Sequence, residues 1–158
     1  MTDTSARPTL RVVPGALTLD DLQALHQGHV SIVIDPSAHA AIATSAAVVQ
    51  QAAAGEAAVY GVNTGFGKLA STRIAADDLA ALQRNLIRSH SVGVGAPMAP
   101  AVVRLMLALK VASLARGHSG VRPVVIERLV AAHNAGLVPC IPSQGSVGAS
   151  GDLAPLSH

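Results

Sequence analysis

The chain is poor in the residues that most often fill or cross-link a core. Its 158 residues include no tryptophan, one tyrosine (Tyr60), one phenylalanine (Phe66) and one cysteine (Cys140). A single cysteine excludes an internal disulfide and fits a reducing compartment. It is expected as a small buried apolar group. Charged residues make up only 13% of the chain, and its lysines and arginines are scattered around a net charge of +2. That pattern excludes a basic nucleic-acid stripe and a basic membrane face. A membrane-spanning run is missing too: the apolar stretch 102–115 carries Arg104 and Lys110, which reads as buried helix. Met1–Thr9 is polar and has no apolar signal region, so a cytoplasmic location is expected. His26, His29, His39, His118 and His133 match no metal-ligand spacing. They are expected at the surface or at helix ends, and no metal is expected.

Half of the chain is apolar, enough at this length for one respectable core. With so few aromatics the core must be built from Ala, Val, Leu and Ile, which suits closely approaching helices. The pattern predicts a mainly α fold with two short strands near the N-terminus, Leu10–Val13 and Val30–Ile34, each β-branched and closed by Pro or Gly. Residues 1–8 are expected to be a disordered tail, with one structured region over 9–158. Thr18 caps a first helix with Asp20 and Asp21 in its first turn. Ser37 opens an alanine-rich helix that Gly55 ends. Further helices are expected from Asp77 to about Ser89, over 98–116 and over 122–135, with Pro123 in a first turn. The glycine-rich stretch around Tyr60 reads as loop, and the paths 93–97 and 136–142 read as irregular. Asp152 can begin another helix.

The chemistry concentrates in three short blocks. The last is Gly145-Ser-Val-Gly-Ala149-Ser150-Gly151-Asp152-Leu-Ala-Pro-Leu-Ser157. In a loop forced tight, the Gly151 nitrogen can reach the Ala149 carbonyl carbon, because Gly151 has no Cβ and Ala149 only a methyl. Loss of two waters then leaves a five-membered ring bearing a methylidene. Such a ring is an electrophile, a kind of group that ordinary side chains do not provide. Competing motifs fail on spacing. A serine-hydrolase elbow needs Gly two residues after Ser150, and Asp152 stands there. A phosphate loop ending at Gly67-Lys68 needs Gly at 62 and Ser or Thr at 69, where Val62 and Leu69 stand. Gly93-Val-Gly95 lacks the third glycine of a dinucleotide loop.

This last block resembles the signature of the aromatic amino acid ammonia-lyases, and within them the histidine ammonia-lyase branch. Tyr60-Gly-Val-Asn63-Thr-Gly-Phe-Gly67 resembles the tyrosine loop of that family. Ser89-His90, within Asn85–Gly95, resembles its substrate-selectivity segment. The three blocks stand in family order, and the resemblance runs from about Val12 to the last residue. It implies a long-helix-bundle lyase fold with a glycine-rich active-site loop, of which this chain is an N-terminal portion. It implies a 4-methylidene-imidazol-5-one (MIO) group formed autocatalytically from Ala149, Ser150 and Gly151, with no external cofactor, and Tyr60 as the base. A phenol ordinarily titrates near 10, so that role requires tuning by its surroundings. The helix beginning at Asp152 would aim its amide groups at the ring.

The resemblance further implies L-histidine as substrate, urocanate and ammonia as products, and a homotetramer whose neighbouring subunits complete each site, so the portion alone should be inactive. Ser89-His90 is the pair of the histidine branch; the tyrosine and phenylalanine branches typically carry His or Phe followed by Leu. His90 is therefore expected to hold the substrate imidazole and Ser89 to leave room for it. Asn63 is a third candidate substrate contact, although it also suits a loop-shaping role. Two alternatives stand beside this reading: another MIO enzyme, such as an aminomutase, or a non-enzymatic folding and assembly module.

Overall fold

Thr18 starts the first helix as its sequence demands. In α1 (Leu19–Gln27) the Thr18 hydroxyl accepts from the Asp21 amide at 3.2 Å, while the Asp21 carboxylate accepts from the Thr18 amide at 2.8 Å. Two otherwise unpaired amides are thereby satisfied, and Gly28 ends the helix in a left-handed conformation. The computed structural model describes residues 7–28, 30–145 and 153–158. The expected tail therefore lies outside the described residues apart from Arg7 and Pro8, as do His29 and the Ala149-Ser150-Gly151-Asp152 segment.

The described chain divides into two units, one formed by residues up to 46 together with 99–139, the other by 47–98 with 140–158. In the first, β1 (Thr9–Val12) and β2 (Ser31–Ile34) flank α1 and pair in parallel, with Leu10 opposite Ile32 and Val12 opposite Ile34. Asp35 then caps a short turn at Pro36–Ala38 by accepting from the Ser37 amide at 2.9 Å, so α2 (His39–Ala54) begins two residues later than Ser37 suggests. α4 (Pro100–Leu114) and α5 (Pro123–Asn134) each take a proline in the first turn, where no amide is needed. The core of this unit is aliphatic, with Val12, Leu25, Ile32, Ile42, Val111 and Ile126 essentially excluded from water. That is how a chain nearly free of aromatics closes a core.

Two expectations are corrected here. His133, expected at the surface or at a helix end, does lie in the last turn of α5 but is buried rather than solvent-facing, 4% exposed. Burial holds its pKa below the ordinary value, opposed by a hydrogen bond to the Val30 backbone, while the charges of Arg104 and Arg7 push it the same way as burial. His26, His39 and His118 are exposed. Cys140, expected to be buried, is exposed: Pro139 and Ile141 bracket it in an extended stretch, and Ile141 is the residue that turns inward.

In the second unit, α3 (Ala76–His90) presents Leu79, Leu82 and Leu86, all half-buried, on one face. The stretches expected to be irregular pair instead: β3 (Val94–Pro97) runs antiparallel to β4 (Pro142–Gln144), with Val94 opposite Gln144 and Pro97 opposite Pro142. A register shift between Val94 and Pro97 accommodates the prolines, which cannot donate to a ladder. α6 (Leu153–Ser157) packs against α3. Among the described residues no helix is long and apolar enough to cross a membrane.

Candidate active site

The Tyr60 loop is built on Asn63. That residue is 1% exposed, its Oδ1 accepts from the Val59 amide at 2.7 Å, and its Nδ2 donates to the carbonyls of Ala57 at 2.9 Å and Ala52 at 3.2 Å. Both amide hydrogens are engaged by backbone, which leaves none for a substrate and makes Asn63 the pillar of the loop. The neighbouring Thr64 is equally buried: its hydroxyl accepts from the Gly61 amide at 3.4 Å and donates to the Gly65 carbonyl at 2.9 Å. From the other side, the Ile74 amide donates to the Asn63 carbonyl at 2.9 Å and the Gly65 amide to the Thr72 carbonyl at 3.1 Å. A loop with this many internal bonds is a fixed platform.

Tyr60 stands on that platform facing outward, 64% exposed. Its only aromatic neighbour is Phe66, edge to face with centroids 5.8 Å apart and planes at 70°. The chain's two aromatic rings thus brace each other. No hydrogen bond joins Tyr60 to Ser89 or His90 among the described residues.

His90 is the last residue of α3, and its ring is held by the turn beneath it. Nδ1 lies 2.8 Å from the Leu86 carbonyl and 3.1 Å from Ser89 Oγ, and the Ser89 hydroxyl donates to the same carbonyl at 2.9 Å. A carbonyl only accepts, so Nδ1 carries the proton. In the neutral ring Nε2 is then an acceptor, a half-buried lone pair suited to an N–H donor. The structure brings Ser89 and His90 together as one unit, with the serine fixing the ring in place.

Ala149, Ser150 and Gly151 lie outside the described residues, but the chain on both sides of them is placed. β4 precedes them, with the Met98 amide donating to the Ile141 carbonyl at 2.8 Å at its start. α6 follows them and is tied to the chain just after His90: Ser91 Oγ donates to the Ser157 carbonyl at 3.0 Å, and the Gly93 amide donates to His158 Nε2 at 3.0 Å. Both flanks therefore attach to the stretch Ser91–Pro97, immediately downstream of Ser89-His90. Sequence reasoning missed Ser91, Gly93 and His158. Their interactions join residues 65 or 66 positions apart, and no local pattern announces such a contact.

Comparison with known proteins shows the family of the chain. The family model described as aromatic amino acid lyase matches residues 17–158. Histidine ammonia-lyase of Paracidovorax citrulli (strain AAC00-1) is 57% identical over 154 residues, covering 98% of this chain and 30% of that protein. The crystal structure of histidine ammonia-lyase from Trypanosoma cruzi superposes with a TM-score of 0.82 at 46% identity, covering 94% of this chain and 29% of that one. Tyrosine aminomutase from Streptomyces globisporus gives a TM-score of 0.86 at 35% identity, covering 95% of this chain and 28% of that one. The chain spans about 30% of the length of the curated relatives it matches.

Proposed function

Because the chain belongs to the aromatic amino acid lyase family, we propose that it forms the N-terminal part of an ammonia-lyase that converts L-histidine to urocanate and ammonia. The observation that carries the substrate assignment is the pinned ring of His90. With Nδ1–H directed at the Leu86 carbonyl, Nε2 offers a lone pair to the N–H of a substrate imidazole, a donor that a phenyl ring lacks. Ser89, small and folded back onto Leu86, leaves room for that ring.

Elimination needs a proton removed from the weakly acidic β-carbon of the amino acid. Tyr60, exposed on a rigid loop, is the base in this reading, and Asn63 acts through it by holding the loop. The MIO group that Ala149, Ser150 and Gly151 would form supplies an electrophile for the substrate amine. The flanks of that segment, β4 and α6, are both anchored to the stretch Ser91–Pro97. The working form in this reading is a cytoplasmic homotetramer, with neighbouring subunits completing each site.

The test is product analysis of the full natural protein with L-histidine. Urocanate with one equivalent of ammonia supports the lyase, and a β-amino acid with no ammonia released supports the aminomutase alternative, which the Streptomyces globisporus likeness favours on fold. No reaction with any aromatic amino acid would leave the assembly-module reading. Tyr60→Phe, which removes only the hydroxyl, should reduce turnover by at least about a hundredfold.

A further inference from the structure

His90 closes α3, and a ring held by the last turn of a helix is only as fixed as that turn. Helix ends fray readily. The local bonds that close this end run from the Ser91 amide to the Ile87 carbonyl at 3.0 Å and from the Val92 amide to the His90 carbonyl at 2.8 Å. Both stay within four residues, so neither ties the turn to another element. Two further bonds do. Ser91, where a ψ of 62° takes the chain out of the helix, donates its hydroxyl to the Ser157 carbonyl at 3.0 Å, sharing the proton with the Ile87 carbonyl at 2.9 Å. Two residues on, the Gly93 amide donates to His158 Nε2 at 3.0 Å. Gly93 admits the ring closely, since a Cβ built there would lie 3.0 Å from the same nitrogen. The chain leaving His90 is thus fastened twice to the end of α6, once by a part-buried bond and once by an exposed one.

We propose that Ser91 and His158 are positioning residues for substrate binding: they clasp the chain that leaves His90 to α6 and so keep His90 Nε2 where a substrate imidazole can donate to it. This rests on the reading of His90 given above. His158 Nε2 can accept from the Gly93 amide only in a neutral ring that carries its proton on Nδ1. No bond joins the clasp to the His90 ring among the described residues, so it acts through the turn that carries the ring. With either tie removed, the last turn of α3 opens more often, and the Leu86 carbonyl that orients the ring goes with it. Affinity for L-histidine then falls by the fraction of time the ring is out of place. No step of the elimination passes through Ser91 or His158, so KM should change more than kcat.

The experiment is steady-state kinetics of the full natural protein with L-histidine, with circular dichroism and oligomer size confirming the fold of each variant. His158→Ala should raise KM roughly three- to fivefold, a part of what one neutral hydrogen bond supplies, with a smaller change in kcat. His158→Gln, whose side-chain oxygen can accept from the Gly93 amide, should bring KM back towards wild type. Ser91→Ala removes only a hydroxyl and should move KM in the same direction as His158→Ala, so it decides the matter if the latter fails to fold. Action through His90 has a signature that general loosening lacks: in a His90→Leu protein, His158→Ala should raise KM no further. A folded His158→Ala protein, or in its place Ser91→Ala, with the wild-type KM overturns the proposal. An equal rise in KM with and without His90 overturns it as well. A His90→Leu protein with the wild-type KM overturns the reading of His90 itself, and the clasp falls with it.

Discussion

Asn134 closes the free edge of β2 with both ends of its side-chain amide: Oδ1 accepts from the Ile32 amide at 2.8 Å and Nδ2 donates to the Ile32 carbonyl at 2.9 Å. The last residue of α5 thus occupies the place of a third strand, and a two-stranded parallel sheet is spared an unpaired inner edge. Asn134→Leu should destabilise this unit by about 1–3 kcal/mol, the cost of leaving a part-buried amide and carbonyl without partners. The measurement is the urea midpoint of the full protein followed by circular dichroism. An unchanged midpoint would mean that water replaces the asparagine at no cost.

How far the sequence announces this fold depends on the range over which each feature is written. The Thr18 cap with acids in the turn behind it and Pro123 opening α5 are local patterns, and each appears where it is expected. The aliphatic core follows from composition in the same way. The pairing of β3 with β4 is not legible, because Gly95, Pro97 and Pro142 each read as breakers and their pairing joins positions 45 to 50 apart. His133 and Cys140 exchange their expected surroundings for a related reason: burial is set by which helix or strand arrives from elsewhere, and single residue types carry little of that information. At the candidate site the type of Tyr60 and His90 is legible, while the pillar under one and the pin on the other emerge only from geometry.

The pillar makes a specific demand. Asn63→Asp keeps the acceptor for the Val59 amide but loses the two donors to Ala57 and Ala52, and it places a carboxylate against two carbonyl oxygens. In the full protein it should lower kcat on the order of tenfold or more while leaving helix content unchanged, since Tyr60 would ride on a loosened loop. Steady-state kinetics beside circular dichroism checks this. A normal kcat would show that the loop is held well enough by Thr64 and the Ile74 bond alone.

The pin on His90 predicts a spectroscopic signature. Nitrogen NMR of the neutral protein should show His90 protonated at Nδ1 and bare at Nε2, because only that tautomer donates to the Leu86 carbonyl. His90→Leu should then raise KM for L-histidine by roughly tenfold, about the value of one neutral hydrogen bond, and should shift preference towards L-phenylalanine. The opposite tautomer would reverse the assignment of Nε2 as the acceptor.

His133 gives the first unit an acid limit. Its Nδ1 is buried without a partner among the described residues, and burial lowers its pKa below 6.5, with the Val30 backbone bond opposing and the charges of Arg104 and Arg7 adding to the effect. The unfolded chain therefore binds a proton at a higher pH than the folded one. Stability is fully present above 6.5 and declines as pH falls through that value towards the lowered native one, because a bound proton leaves a buried imidazolium near the charges of Arg104 and Arg7. Asp21 and Asp35, both held below 3.8 by hydrogen bonds from Thr18 and Ser37, act only in a lower window. The denaturation midpoint of the full protein should thus fall between pH 7 and pH 5. His133→Gln, neutral at both values, should flatten that part of the profile, even where the substitution lowers stability at pH 7. An equally steep decline in the variant would assign the acid sensitivity to another group.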